Sequence, residues 1–136
     1  MAGETDLATM LATLRVERRP GVFAFITLPP ATVAPEAVAP LIADAHAVIE
    51  EDEGTTVVIE ADRARAGGHT VDFEAAWLTL AVHSALEAIG LTAAVSAALA
   101  EAGIPCNMIA GYHHDHLLVP TARADDAAEL LTTRWR

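Results

Sequence analysis

Residues 111–120 read GYHHDHLLVP and place His113, His114 and His116 together with Asp115 inside four positions. On a strand, successive side chains point to opposite faces, so His114 and His116 would share one face and His113 and Asp115 the other. Three chemistries suit such a set. Two histidines on one face, with His83 from a neighbouring strand, would make a zinc site. A hydrolytic arrangement would use His114 as base, Asp115 or Glu87 as its partner and Ser84 or Ser96 as nucleophile, but no Gly-x-Ser-x-Gly elbow accompanies it. In the third, the segment contributes Asp115 and its histidines to a ligand pocket or an interface, where the carboxylate receives a cationic group. We adopt the third reading: no catalytic residue, resident metal or cofactor is assigned, and a metal-binding protein built on His83, His114 and His116 stands as an alternative.

A second candidate lies upstream in EAIGLT. Gly90 lets the backbone come close to a ligand, and the free N–H groups and dipole at the start of a helix over 92–102 favour a carboxylate. The amine of an amino acid would then face Glu87 or Asp115. The plainer alternative is a tight strand-to-helix turn capped by Thr92.

These residues need elements to hold them. WLTLAVHS, 77–84, alternates as a strand with Trp77, Thr79, Ala81 and His83 on one face and Leu78, Leu80, Val82 and Ser84 on the other. The helix over 92–102 turns Val95 and Leu99 inward and stops at Gly103 and Pro105. CNMIAG and HLLVP are strands, and ARADDAAELLTTRW is a closing amphipathic helix with Leu130 and Leu131 inward. Trp77 is a core or interface anchor, and Trp135 packs the last helix. From Trp77 the order is β, α, β, β, α, a ferredoxin-like α+β unit short of its last strand, which the N-terminal strands could supply.

Upstream, Asp6 caps a short helix carrying Leu7, Met10, Leu11 and Leu14 on one face. Pro20-Gly21 reads as a turn, and 22–28 as a strand. An Ala/Pro-rich connection leads into a short helix around 38–43, with Pro40 in its first turn. AHAVIEEDEGTTVVIEAD reads either as a helix running into a strand or as a hairpin whose acidic tip, Glu50 to Glu53, ends on Gly54; the hairpin is preferred because four adjacent acids want solvent. Gly67-Gly68 marks the division into modules 1–68 and 69–136.

The whole chain has 136 residues, 53% of them hydrophobic, with a net charge of −11. That composition buries a core, and its negative field disfavours nucleic acid and anionic membranes as partners. No apolar run approaches the ~20 residues needed to span a bilayer, and no secretory signal is read, which points to the cytoplasm. Cys106 is the only cysteine, so no intrachain disulfide forms, and its apolar neighbours predict a small buried side chain.

The stretch WLTLAVHSALEAIGLTAAVSAALAEAGIPCNMIAGYHHDHLLVP resembles the ACT-domain family, in particular small bacterial proteins with two ACT-like modules in tandem. It is also distantly similar to the second module of the animal cytosolic arginine sensors, which carry a similar Asp-aromatic-apolar-Val-Pro segment. PGVFAF and EGTTVVIE carry the resemblance, more loosely, into the N-terminal half. The resemblance implies two ferredoxin-like (βαββαβ) modules and a non-catalytic, regulatory role in binding a small molecule, an amino acid above all. ACT modules hold it through the loop after the first strand and the backbone of the next. Carried over, the loop supplies Ser84, Glu87, Ile89, Gly90, Leu91 and Thr92, and the strand supplies Asn107, Met108 and Ile109, with His114 and Asp115 beside them. An interaction or dimerisation module without a ligand is the alternative, and an exposed sheet edge would suit a homodimer.

Overall fold

The computed structural model describes residues 6–30, 32–82 and 88–136. His83, Ser84 and Glu87 lie outside the described residues. The elements run α1 (Leu7–Ala12), β1 (Val16–Leu28), α2 (Pro35–Asp44), β2 (Ala47–Glu51), β3 (Gly54–Glu60), α3 (Ala61–Ala66), β4 (Ala75–Leu80), α4 (Leu91–Glu101), β5 (Asn107–Ala110), β6 (Asp115–Pro120) and α5 (Ala124–Thr133). They divide into two compact units, one of Gly21–Ala75 and one of Met1–Pro20 with Ala76–Arg136.

In the unit Gly21–Ala75 the expected hairpin forms: β2 and β3 pair antiparallel with Glu51 opposite Gly54, and β3 pairs antiparallel with β1, Ile26 opposite Val57. Alternate residues face the helices, so Ala24, Ile26 and Leu28 of β1 and Val57 and Ile59 of β3 meet Val38 and Leu41 of α2 and Ala61 and Ala64 of α3. Two expectations fail here. Pro20-Gly21 is no turn; it lies inside the 13-residue strand β1. Ladder hydrogen bonds decide this, since Phe23–Leu28 is taken by β3 while, in the other unit, the Arg15 carbonyl accepts from the Ala81 N–H at 2.7 Å. Nor is Pro40 in a first turn: α2 starts at Pro35 and carries Pro40 in its interior. Burial of Val38 and Leu41 on either side of Pro40 is worth roughly 1.5–3 kcal/mol per side chain, enough to offset one missing backbone bond.

In the other unit the strands lie in the order β1-β4-β6-β5, so Val16–Pro20 supplies the strand that the C-terminal pattern lacked. Ala76, Leu78 and Leu80 of β4 and Leu117 and Val119 of β6 pack on Met10 and Leu11 of α1, Val95 and Leu99 of α4 and Ala127 and Leu131 of α5. Asp6 caps α1 by accepting from the Thr9 N–H at 3.0 Å, as its sequence predicts. Trp135 packs against this core, and Cys106 is half-buried beside it with its thiol pushed up by burial. Arg123 donates to the Ala102 carbonyl at 3.2 Å and closes the end of α4. Among the described residues no helix is long and apolar enough to cross a membrane.

Candidate ligand site

β5 and β6 pair antiparallel with Asn107 opposite Leu118, Ile109 opposite His116 and Ala110 opposite Asp115. The turn between them is closed by the Gly111 N–H, which donates to the His114 carbonyl at 2.8 Å. That bond spends His114 on the turn, and β6 begins only at Asp115. His114 and His116 therefore do not share a strand face as expected. His114 turns its Nδ1 toward the Val82 carbonyl, 3.4 Å away, just past the end of β4. The end of β4, the end of β5 and the start of β6 thus converge around the turn.

Below the turn the His116 ring is fixed from several sides. Trp77 Nε1–H donates to His116 Nδ1 at 3.2 Å, and Thr79 Oγ1 lies 2.9 Å from the same nitrogen. An indole can only donate, so Nδ1 is the unprotonated nitrogen, the Thr79 hydroxyl also donates to it, and the neutral ring carries its proton on Nε2. Nε2 points at Gly111, where a Cβ would come within 3.0 Å of it and within 2.7 Å of the His114 carbonyl. Only a residue with no side chain fits between them. The Arg19 guanidinium stacks 4.1 Å from the centroid of the Trp77 ring, which is 2% exposed. Burial, then Arg19, then His114 hold the His116 imidazole below its usual range.

Asp115 is half-buried, and burial raises its carboxyl above the usual carboxylate range against the opposing pull of His114. Its carboxylate makes no hydrogen bond or ion pair with the described residues, so a cation would relieve its desolvation.

The helix start expected to face a carboxylate belongs to α4. Gly90, not Thr92, is the N-cap, with φ at +99° and no side-chain capping bond. Leu91 is drawn into the core as the first helical residue, which leaves Thr92 exposed on the outer side. The Gly90 conformation suits glycine, and a Cβ there would also press on Leu7 at 2.9 Å. Close packing on α1 thus accounts for this glycine. Ile89 is 85% exposed beside it.

The structure accordingly brings His114, Asp115 and Ile109 to the β5–β6 hairpin and Ile89 to Thr92 to the start of α4, while Met108 packs on the core and Asn107 is exposed at the far end of β5. Arg19, Thr79 and Gly111 were not singled out in the sequence. The alternation of β4 signals Thr79 beside Trp77, but nothing local to VERRPG signals Arg19, which arrives through strand pairing. Among the described residues no three metal-ligating side chains converge, and His116 spends Nδ1 on two donors. A shallow groove of about 340 Å³ lies elsewhere on this unit, lined by Ile104, Arg123, Asp126 and Glu129 among others.

Two profiles described as the ACT domain match the sequence, one over residues 2–76 and one over residues 72–133. The chain belongs to the ACT-domain family. Its fold is α+β, with two ACT modules in tandem. Among solved structures this ACT protein is similar to a Vibrio cholerae protein described as of unknown function with transport suggested, at 36% identity, 96% coverage of each chain and a TM-score of 0.82. It resembles the ligand-free regulatory subunit of aspartate kinase from Thermus thermophilus at 14% identity, covering 89% of this chain and 95% of that one, TM-score 0.65. An Agrobacterium tumefaciens protein aligns at 18% identity over 87% of this chain and 86% of its own, TM-score 0.59. The last two likenesses concern the fold. No match is found among curated proteins.

Proposed function

We propose that this ACT protein is a non-catalytic regulatory protein that binds a small molecule, an amino acid, at the end of the unit Met1–Pro20 with Ala76–Arg136 where the β5–β6 turn lies. The observation that carries this reading is Asp115: a half-buried carboxylate without a hydrogen bond or ion pair to the described residues, in a family whose resemblance implies amino-acid binding. The ligand's amine or cationic side chain faces Asp115, and its carboxylate faces the backbone N–H groups at the start of α4, from Gly90 to Thr92. Ser84, Glu87, Ile89 and the backbone of Asn107, Met108 and Ile109 complete the proposed set, with His114 at its rim.

Calorimetric titration with each of the twenty amino acids tests this. One of them, or a chemically related few, should bind the wild type, and binding should be lost in Asp115→Ala. Thr92→Glu should weaken it as well, because an exposed first-turn Glu suits the helix dipole yet repels the ligand's carboxylate. No binding by any amino acid would refute the reading.

A second reading has its own support: Ile89 and Tyr112 are 85% and 76% exposed on this unit. Such apolar groups suit an interaction module whose partner is another protein chain. Concentration-dependent self-association lost in Ile89→Asp, together with silence in the amino-acid titration, would favour it.

A further inference from the structure

We infer that His116 is the positioning residue of the proposed site: its neutral ring pins the Ala110–Asp115 turn to β4, and a proton on Nδ1 releases that turn. The inference rests on the proposed site for its functional consequence, while its structural part stands by itself. His116 is opposite Ile109 across the hairpin and one residue beyond Asp115, so a shift of its ring moves the carboxylate and the turn together. The Nδ1 lone pair is the acceptor for both Trp77 and Thr79. A threonine hydroxyl can rotate and accept instead, but an indole N–H cannot, so a protonated Nδ1 faces a second donor across 3.2 Å.

The groups around the ring make that proton costlier still. From β1 comes the Arg19 guanidinium, held on the Trp77 face; from β4 the Trp77 indole and the Thr79 hydroxyl; from the turn His114 and the backbone at Gly111; and from β6 Asp115, whose carboxylate is the one acid adjacent in sequence. Two of the charged or chargeable neighbours, Arg19 and His114, act against the imidazolium. On its Nε2 side the ring faces the turn, where a Cβ built on Gly111 would stand 3.0 Å from Nε2. Movement of the ring away from Trp77 therefore presses on the turn, which carries His114 and Asp115. Ligand affinity at this site should fall as the pH drops through the His116 titration.

Ligand-free, isotope-labelled protein tests this by nuclear magnetic resonance, with Trp135→Phe leaving Trp77 as the one indole. From neutral to mildly acid pH, the Trp77 indole N–H and the Gly111 amide should shift together, at the midpoint read from the His116 ring itself. In His116→Gln, whose amide oxygen can still accept from Trp77, that shared titration should be lost while the remaining spectrum is kept. If the Gly111 amide stays still while His116 titrates, or titrates unchanged in His116→Gln, the inference is overturned. An absence of amino-acid binding at every pH would instead remove the proposed function and leave the coupling between His116 and the turn intact.

Discussion

Gly111→Ala puts one methyl group into the narrowest point of the β5–β6 turn. Its Cβ would lie 2.7 Å from the His114 carbonyl oxygen and 3.0 Å from His116 Nε2, both well inside van der Waals contact. Neither neighbour yields easily, since the carbonyl is held by the Gly111 N–H at 2.8 Å and the ring by Trp77 and Thr79. Overpacking of this kind costs roughly 1–3 kcal/mol, and the reduced freedom of the unfolded chain returns about 0.4–1 kcal/mol. A net loss of roughly 1–2 kcal/mol is expected, which for a chain of this size lowers Tm by about 3–8 °C. The control is Gly67→Ala, where the nearest atoms lie at 3.5 Å and the same substitution should be neutral or slightly stabilising. Urea unfolding followed by tryptophan fluorescence, with thermal melts alongside, measures both variants. If Gly111→Ala is as stable as the wild type and keeps the Trp77 environment, the close approach that defines the turn is wrong.

Leu117, fully buried in the core shared by α1, α4 and α5, should cost about 2–5 kcal/mol as Leu117→Ala, read from the urea midpoint at constant slope. His116 is held below its usual 6.5 in the folded protein, so the unfolded chain binds its proton first, and this share of stability is full above 6.5 and lost as the pH falls toward the folded value. The slope from that window should vanish in His116→Gln. Asp115 has the opposite sign: raised above 3.8 when folded, it favours the folded state in acid and loses that share as the pH rises through its folded value. Asp115→Asn should accordingly leave the ligand-free protein as stable as, or more stable than, the wild type at neutral pH while abolishing ligand binding. Trp77→Phe removes one donor to Nδ1, and His116 should then titrate at a higher pH by nuclear magnetic resonance.

Much of the fold is legible from local pattern. Alternation in WLTLAVHS marks β4, which stops at Leu80, and HLLVP marks β6. The spacing of Val95 and Leu99 identifies the inner face of α4, and of the pair Leu130 and Leu131 the second is fully in the core while the first packs at its edge. The acidic tip before Gly54 marks the β2–β3 hairpin because four adjacent carboxylates need solvent. What misleads is punctuation whose effect depends on tertiary partners. Pro20-Gly21 resembles a turn, but the segments on its two sides already have hydrogen-bonding partners, so the strand runs through. Thr92 resembles an N-cap, but Leu91 is apolar enough to be pulled into the core, and the cap moves back to Gly90. In the site, the HHDH cluster is visible at once, yet alternation alone overstates the kinship of His114 and His116, because it cannot know that the turn consumes His114. Arg19 and Gly111 act through distances across strands and within a turn, which no window of sequence contains.

The most direct test of amino-acid binding at this site is to titrate amino acids into labelled protein and map the backbone signals that move. Saturable shifts clustered at Gly90–Thr92, Asn107–Ala110 and Asp115, with one amino acid and lost in Asp115→Ala, are the predicted result. Shifts confined to the groove lined by Ile104, Arg123, Asp126 and Glu129, or none with any amino acid, would contradict it.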